Sequence, residues 1–455
     1  MPIIPHNFAK AEREMGYLKR RRYVIIFLSL GLAATLLCFR PAAAAGRAGL
    51  PPDLQTLIGE ALQANPEVKQ RAQIKSAAEE AVRPAGALDD PKLLVGIVNL
   101  PVDTWSFAQE PMTQKQFGVS QKIPFPGKRR LRSEVAAEQA KADGFTYQDK
   151  RNEIRARVIQ QYWSLALTYA GYDITERNKQ FWEQVVKVAE TRYGVGMGRQ
   201  AEVLQAQVEL GNYLDRLLQW RQRRESVQAD LNALRSRPPQ TKINRPQALR
   251  SSPFTLKLDQ LLAQAQARPQ LVAIKTLITK QEKAVDLARK GYFPDVTIGV
   301  TYGFRESLDP PVNKTQADFF STTFVFDLPI WFNDKVKPRI REQVQRKGAA
   351  REAYQAAWDK EAAAIKDRYA KLERLSHQIT LYEQGIIPQA RQAAATSLAD
   401  YSVGRLDFAR LYQNQIAAYN AELALQEYLK DYEENWAALE WLVGSELPRA
   451  LGGKK

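Results

Sequence analysis

The chain has 455 residues, enough for two or three ordinary domains, and its 45% hydrophobic content is typical of folded protein. Its formal net charge is +16, but the basic residues are interleaved with Glu and Asp, which describes solvated helix faces better than a nucleic-acid patch. One cysteine, Cys38, and two histidines, His6 and His377, leave little material for thiolate or imidazole metal sites or for a nucleophile–histidine pair.

In chain order, Lys19-Arg20-Arg21-Arg22 precedes an apolar run from Tyr23 to Phe39, and Ala42–Ala45 follow Pro41. This pattern predicts a secretory signal over residues 1–45, cut after Ala45. The run sits at the short limit for a membrane anchor, and Leu37 is too large to precede a lipidated Cys38. Cleavage would remove the only cysteine and lower the net charge to +11. Beyond residue 45 there is no apolar run long enough for a spanning helix, so any membrane crossing falls to strands.

The remainder reads as two halves with one order of events. Residues 46–235 form the first and 258–443 the second, with a proline-rich linker at 236–257 and a tail at 444–455. Each half opens on an Ala-rich helical pattern carrying Asn65-Pro66 or Arg268-Pro269. A strand follows (about 92–100, and 295–304), then a polar connection, then a second strand (about 116–123, and 318–328). Prolines stop these strands at IPFPGKRR (123–130) and LPIWFND (328–334). Long helical patterns come next and end at RYGVG (192–196) and DYSVG (400–404), before a further helix. The repeat spacing is about 205 residues, which marks a duplication.

In the second half Val296, Ile298, Val300 and Tyr302 share one strand face, opposite Thr297, Gly299, Thr301 and Gly303. Phe320, Phe324 and Phe326 repeat the pattern, whereas the first strand, 92–100, is apolar on both faces and its orientation stays open. About ten residues at ~3.3 Å each cross a hydrocarbon slab when tilted ~45°. The bulky faces then meet lipid and the small faces an aqueous lumen. Trp105 and Phe107 at one end, and Phe125, Tyr292, Phe293, Trp331 and Phe332 at the other, suit interfacial girdles. An open edge cannot persist in lipid, and small barrels need about eight strands. Four strands per chain therefore predict a barrel shared with copies of the same chain, with lipid around it.

Trp358, Ile365, Leu372, Ile379 and Ile386 recur every seventh residue, a coiled-coil seam. Kinks or breaks are expected at Gly171, Gly385 and Pro388. Val195-Gly196 and Val403-Gly404 would reverse the chain, glycine tolerating the left-handed cap, and Asp407 is placed to cap the next helix. A tip found twice, each about 100 Å from a strand pair, suggests docking as readily as a plain turn.

These residues resemble the TolC-like outer-membrane efflux channels over nearly the whole mature chain. IPFPGKRR, the paired tips and IIPQARQAAATSLADYSVGRLDF (386–408) carry the likeness, and PFPGKR is similar to members serving heavy-metal (Czc/Cus-type) pumps. The resemblance implies a mainly α fold with a membrane β-barrel part: a homotrimer of twelve strands in one barrel and a periplasmic helical tunnel. It implies no cofactor, a periplasmic adaptor docking on Val195, Gly196, Val403, Gly404 and Arg405, and an inner-membrane pump of resistance-nodulation-division type or similar behind it. It places a gate near Asp407 and the positions of Arg410 and Gln413, where the best-known member carries acids; a carboxylate ring is thereby in doubt, and Arg410 pairs with an acid or forms a basic ring. The expected function is a passive exit duct, not an enzyme, with no catalytic or metal site. The competing reading is a periplasmic coiled-coil adaptor, although adaptors generally carry one hairpin flanked by compact β domains.

Overall fold

The computed structural model describes residues 50–449; the expected signal segment 1–45 and the end of the tail, 450–455, lie outside them. Leu50–Leu447 form one compact unit. Helices α1 (Pro52–Ala64) and α2 (Pro66–Ala85) lead to β1 (Lys92–Val98) and β2 (Gln114–Ile123), then α3 (Lys128–Gly194) and α4 (Gln200–Leu234). After an irregular linker come α5 (Leu258–Ala265), α6 (Pro269–Arg289), β3 (Val296–Phe304) and β4 (Phe319–Phe326). α7 (Val336–Leu381), a π-helical turn (Tyr382–Ile386), α8 (Ile387–Ser402) and α9 (Phe408–Val443) complete the chain. Among the described residues no helix is long and apolar enough to cross a membrane.

The four strands form one antiparallel sheet in the order β1-β2-β3-β4, so the β2–β3 pairing joins the two halves. Its register sorts the side chains into rows. Val95, Phe117, Tyr302 and Phe320 face one way, as do Leu93, Val119 and Val300. Leu94, Gly118, Thr301 and Ser321 face the other, beside Ser120, Gly299 and Thr323. Pairing to β2 thus decides the orientation that β1 alone left open: Leu93, Val95 and Ile97 lie on the bulky face. The small face is tight. A methyl added at Gly118 would lie 2.8 Å from the Thr301 hydroxyl, and one at Gly299 would lie 2.6 Å from that of Thr323.

IPFPGKRR builds the passage from sheet to helix. Gly127 takes a positive φ of 92° at the start of α3, and Phe125 stacks on Phe293 at 4.4 Å. The Lys128 ammonium pairs with Asp295 at 2.7 Å and donates to the Phe293 carbonyl, which ties the first half's helix to the second half's strand.

α3 has 67 residues and is about 100 Å long at ~1.5 Å per residue. It packs against α4 on one side and α9 on the other, and α9 packs on α7 and α8, which gives the lateral order α4, α3, α9, α8. Leu54, Ile159, Leu231, Leu261, Leu372 and Leu439 belong to one buried cluster, where α1, α5 and the linker join the middles of the long helices. A second cluster lies nearer the tips, around Trp182, Tyr213, Tyr401 and Phe408.

Two expectations about breaks need separate outcomes. α3 runs unbroken through Gly171, because this glycine makes room instead: a methyl there would sit 2.5 Å from the Trp220 ring of α4. The second long helix does break, as a π turn through Gly385, with Pro388 in the first turn of α8. The buried seam Ile365, Leu372, Ile379 then resumes at Ile387, Ala394 and Tyr401. The step across the turn is one residue longer than a heptad, and a π turn is the structure that absorbs one extra residue.

Candidate functional site

Both tips are built by the same backbone chemistry. The Gly196 amide donates to the Tyr193 carbonyl, and the Met197 amide to that of Arg192 at 2.8 Å. At the second tip, Gly404 donates to Tyr401 and Arg405 to Asp400, also at 2.8 Å. Gly196 and Gly404 have φ of 78° and 77°, which a side chain resists, so glycine closes each helix in a Schellman-type cap. Val195 and Val403 are each 65% exposed and Met197 is 76% exposed, leaving apolar side chains in solvent at both ends. Arg405 is exposed beside them.

Asp407 is the N-cap of α9, accepting from the Arg410 amide at 2.7 Å. The Arg410 and Gln413 side chains are exposed and share a stripe of α9 with Ala417 and Asn420, opposite the buried Phe408, Leu411 and Gln415. Of the expected lipid-facing residues, Val300, Tyr302, Phe320, Phe324 and Phe326 are exposed, and Val296 and Ile298 are half-buried on the same face.

The structure adds a clamp between the hairpins that the sequence reading missed. Arg192, at the end of α3, donates to the Tyr401 carbonyl at 2.7 Å and lies 4.3 Å from its ring centroid. The Tyr401 hydroxyl donates to Glu202 Oε2 at 2.9 Å, on α4. Tyr401 is fully buried, and burial together with that carboxylate pushes its pKa up, so it remains a donor. Lower solvent access also raises Tyr213, to about 12. Tyr193 and Tyr401 match in the repeat, yet only Tyr401 is enclosed; the asymmetry of Arg192 against Asp400 was the available signal.

A second buried network holds the middle. Arg268 bonds Asp149 of α3 through Nε at 2.8 Å and Nη2 at 3.2 Å, bonds Glu361 of α7 through Nη1, and faces the Trp441 ring of α9 at 4.6 Å. Asn65 holds the matching position in the first half, where it caps α2 and donates to the Leu234 carbonyl.

A sheet with a bulky apolar face and an opposite face made mostly of Gly, Ser and Thr, its outer edges unpaired among the described residues, with ~100 Å helices below, defines a membrane-channel subunit with a long helical extension. Comparison with known proteins gives the family. The chain belongs to the outer membrane efflux protein family, which matches residues 57–236 and 261–445. It is 23% identical over 276 residues to the fusaric acid resistance protein FusA of Burkholderia cepacia, covering 58% of this chain and 52% of that one. The chain thus spans about half the length of that relative. Its fold is similar to that of the outer-membrane channel OprN (16% identity, TM-score 0.74, 87% of this chain and 90% of that). It is also similar to VceC from Vibrio cholerae (20%, 0.73, 86% and 96%) and to CusC (16%, 0.72, 89% and 96%). The family is one of outer-membrane efflux channels, so the chain is an outer-membrane protein with a large periplasmic helical part. The adaptor reading is set aside, since both halves match the channel family.

Proposed function

We propose that three copies of this chain close one twelve-stranded barrel and one helical tunnel, forming the passive exit duct of a tripartite efflux system. One observation carries this reading. Among the described residues the outer edges of β1 and β4 lack partners, while Leu93, Val95, Phe320 and Phe324 on the same sheet are exposed apolar side chains. Backbone amides in lipid need partners, and copies of the same sheet supply them edge to edge. A periplasmic adaptor meets the tips at Val195, Gly196, Val403, Gly404 and Arg405, with an inner-membrane pump behind it. Asp407, Arg410 and Gln413 line the periplasmic entrance, where the exposed Asp407 keeps its negative charge while capping α9 and the exposed Arg410 offsets it. The relative named for fusaric acid resistance supports small toxic compounds as cargo ahead of metal ions.

The test is the mass of the mature protein in mild detergent, together with export in a strain lacking the chromosomal copy. A heat-sensitive trimer whose loss abolishes export is expected. A stable, folded monomer would overturn the proposal.

A further inference from the structure

Below the π turn, a cavity of about 240 Å³ opens between α3, the inter-repeat linker, the start of α8 and α9. Its floor is apolar: Ile174, Leu249 and Ile387 are buried, and Leu425 completes it. Its rim is charged. Arg177 and Arg391 each take one oxygen of Glu422, the first at 2.9 Å, and Arg245 bonds Asp173. All three arginine side chains are more than half exposed, whereas Glu422 is only 13% exposed.

The rim has a surplus on one side. Three guanidiniums meet two carboxylates, and each guanidinium carries five N–H donors of which these contacts use few. Both Glu422 oxygens are already engaged. Arg224 adds charge nearby, lying 5.0 Å from the Tyr169 ring while Arg245 lies 5.2 Å from the same ring. A site with excess donors, net positive charge and an apolar floor selects an anion with a hydrocarbon body. Its volume falls below the ~300–1,000 Å³ of drug-sized pockets, which limits the occupant to a small molecule.

We infer that this cavity is a binding site for a small amphipathic anion, its carboxylate or phosphonate head on Arg245 and Arg391 and its apolar body on Ile174, Leu249 and Ile387. The walls give the site a consequence. Arg245 and Leu249 belong to the linker, Ile174 and Arg177 to α3, and Ile387 and Arg391 to the first turns after the π turn. An occupant therefore joins the first half's straight helix to the jointed helix that carries the second tip. The inference does not depend on the export role.

The probe is 2-naphthoate, measured by equilibrium dialysis against the full chain as it assembles in detergent, with protein-free micelles as the reference. Saturable binding is expected, weakened at least tenfold by Arg245→Gln combined with Arg391→Gln. Glu422→Gln, which removes the competing carboxylate, is expected to tighten it several-fold, a direction that mere loss of packing would not produce. Bound naphthoate is expected to slow amide exchange over residues 386–391. Three results would each overturn the inference: no saturable binding, equal binding of uncharged 2-naphthylmethanol, or affinity unmoved by the arginine substitutions.

Discussion

Arg268 shows what one side chain can hold. It stands between two buried carboxylates, Asp149 and Glu361, so the cluster carries one negative charge too many for its surroundings. Burial opposes the charge on Arg268, but its bonds to Asp149 prevail and raise its pKa. Asp149 receives the two-pronged contact, and burial accordingly raises the pKa of Glu361, the third member. Removing the cation should be severe: Arg268→Met leaves two acids unpaired and is expected to cost about 3–5 kcal/mol, read as the denaturation midpoint of the helical part. A pH dependence follows with a definite sign. Because Glu361 holds its proton more tightly folded than unfolded, its contribution is present below pH ~4.5 and fades as pH rises through the raised value. Glu361→Gln cannot titrate, so the variant's Tm relative to wild type should climb between pH 4 and 7; a constant difference would contradict this. Gly171 is the other decisive position. Gly171→Ala drives a methyl against Trp220, and an expected loss of about 1–3 kcal/mol would show as a lower Tm.

At the scale of elements, the strand faces and hairpin tips each make a prediction. Val300→Arg places a charge on the bulky face and is expected to cost ~2–4 kcal/mol of barrel stability, seen as a lower melting temperature of the heat-sensitive band. Thr301→Arg, one residue on, faces the other way and should alter conductance more than stability. Val403→Asp and Val195→Asp are expected to abolish export while leaving assembly intact. They test docking more cleanly than Gly404→Asp, which also forces a side chain onto a φ of 77°. Tyr401→Phe loses a bond to a charged partner, about 1.5 kcal/mol, and should raise the open fraction in single-channel recordings.

These elements also show what the sequence could disclose. Alternation of Val296, Ile298, Val300 and Tyr302 with glycines and threonines revealed both faces of β3, because side-chain direction in a strand is a local property. β1 offered no such contrast, and only its register against β2 decides which face is which. The seam from Ile365 to Ile379 was readable, but the π turn hid as a single added residue before Ile387. For Arg192–Tyr401 the mismatch of Arg192 with Asp400 between the repeats marked a difference but not the partner, and Gly171–Trp220 left no mark, because the partners lie on other helices and spacing along one helix says nothing of the neighbour's rotation.

For the whole molecule, the two halves repeat an order of elements while differing in stiffness. α3 is one uninterrupted rod, and its counterpart is two rods joined at Tyr382–Ile386. The clamp of Tyr401 by Arg192 and Glu202 fastens the jointed hairpin to the rigid one. In the proposed trimer, motion at the periplasmic end is therefore expected of the jointed α8 and α9, with the unbroken α3 and its partner α4 as the frame.

The bare edges of the sheet carry one more implication. A joint between unlike edges is directional, and nothing in it says when to stop: repeated at an arbitrary angle it gives a ribbon or a spiral, and it closes into a ring only at the right turn. Edges of seven and eight residues are short hinges. The columns beneath them are roughly ten times as long as the sheet is wide per strand pair, so in the proposed assembly their lateral packing is expected to fix the angle. In the proposed trimer, the number of copies would thus be decided far from the membrane, and the barrel would inherit the answer.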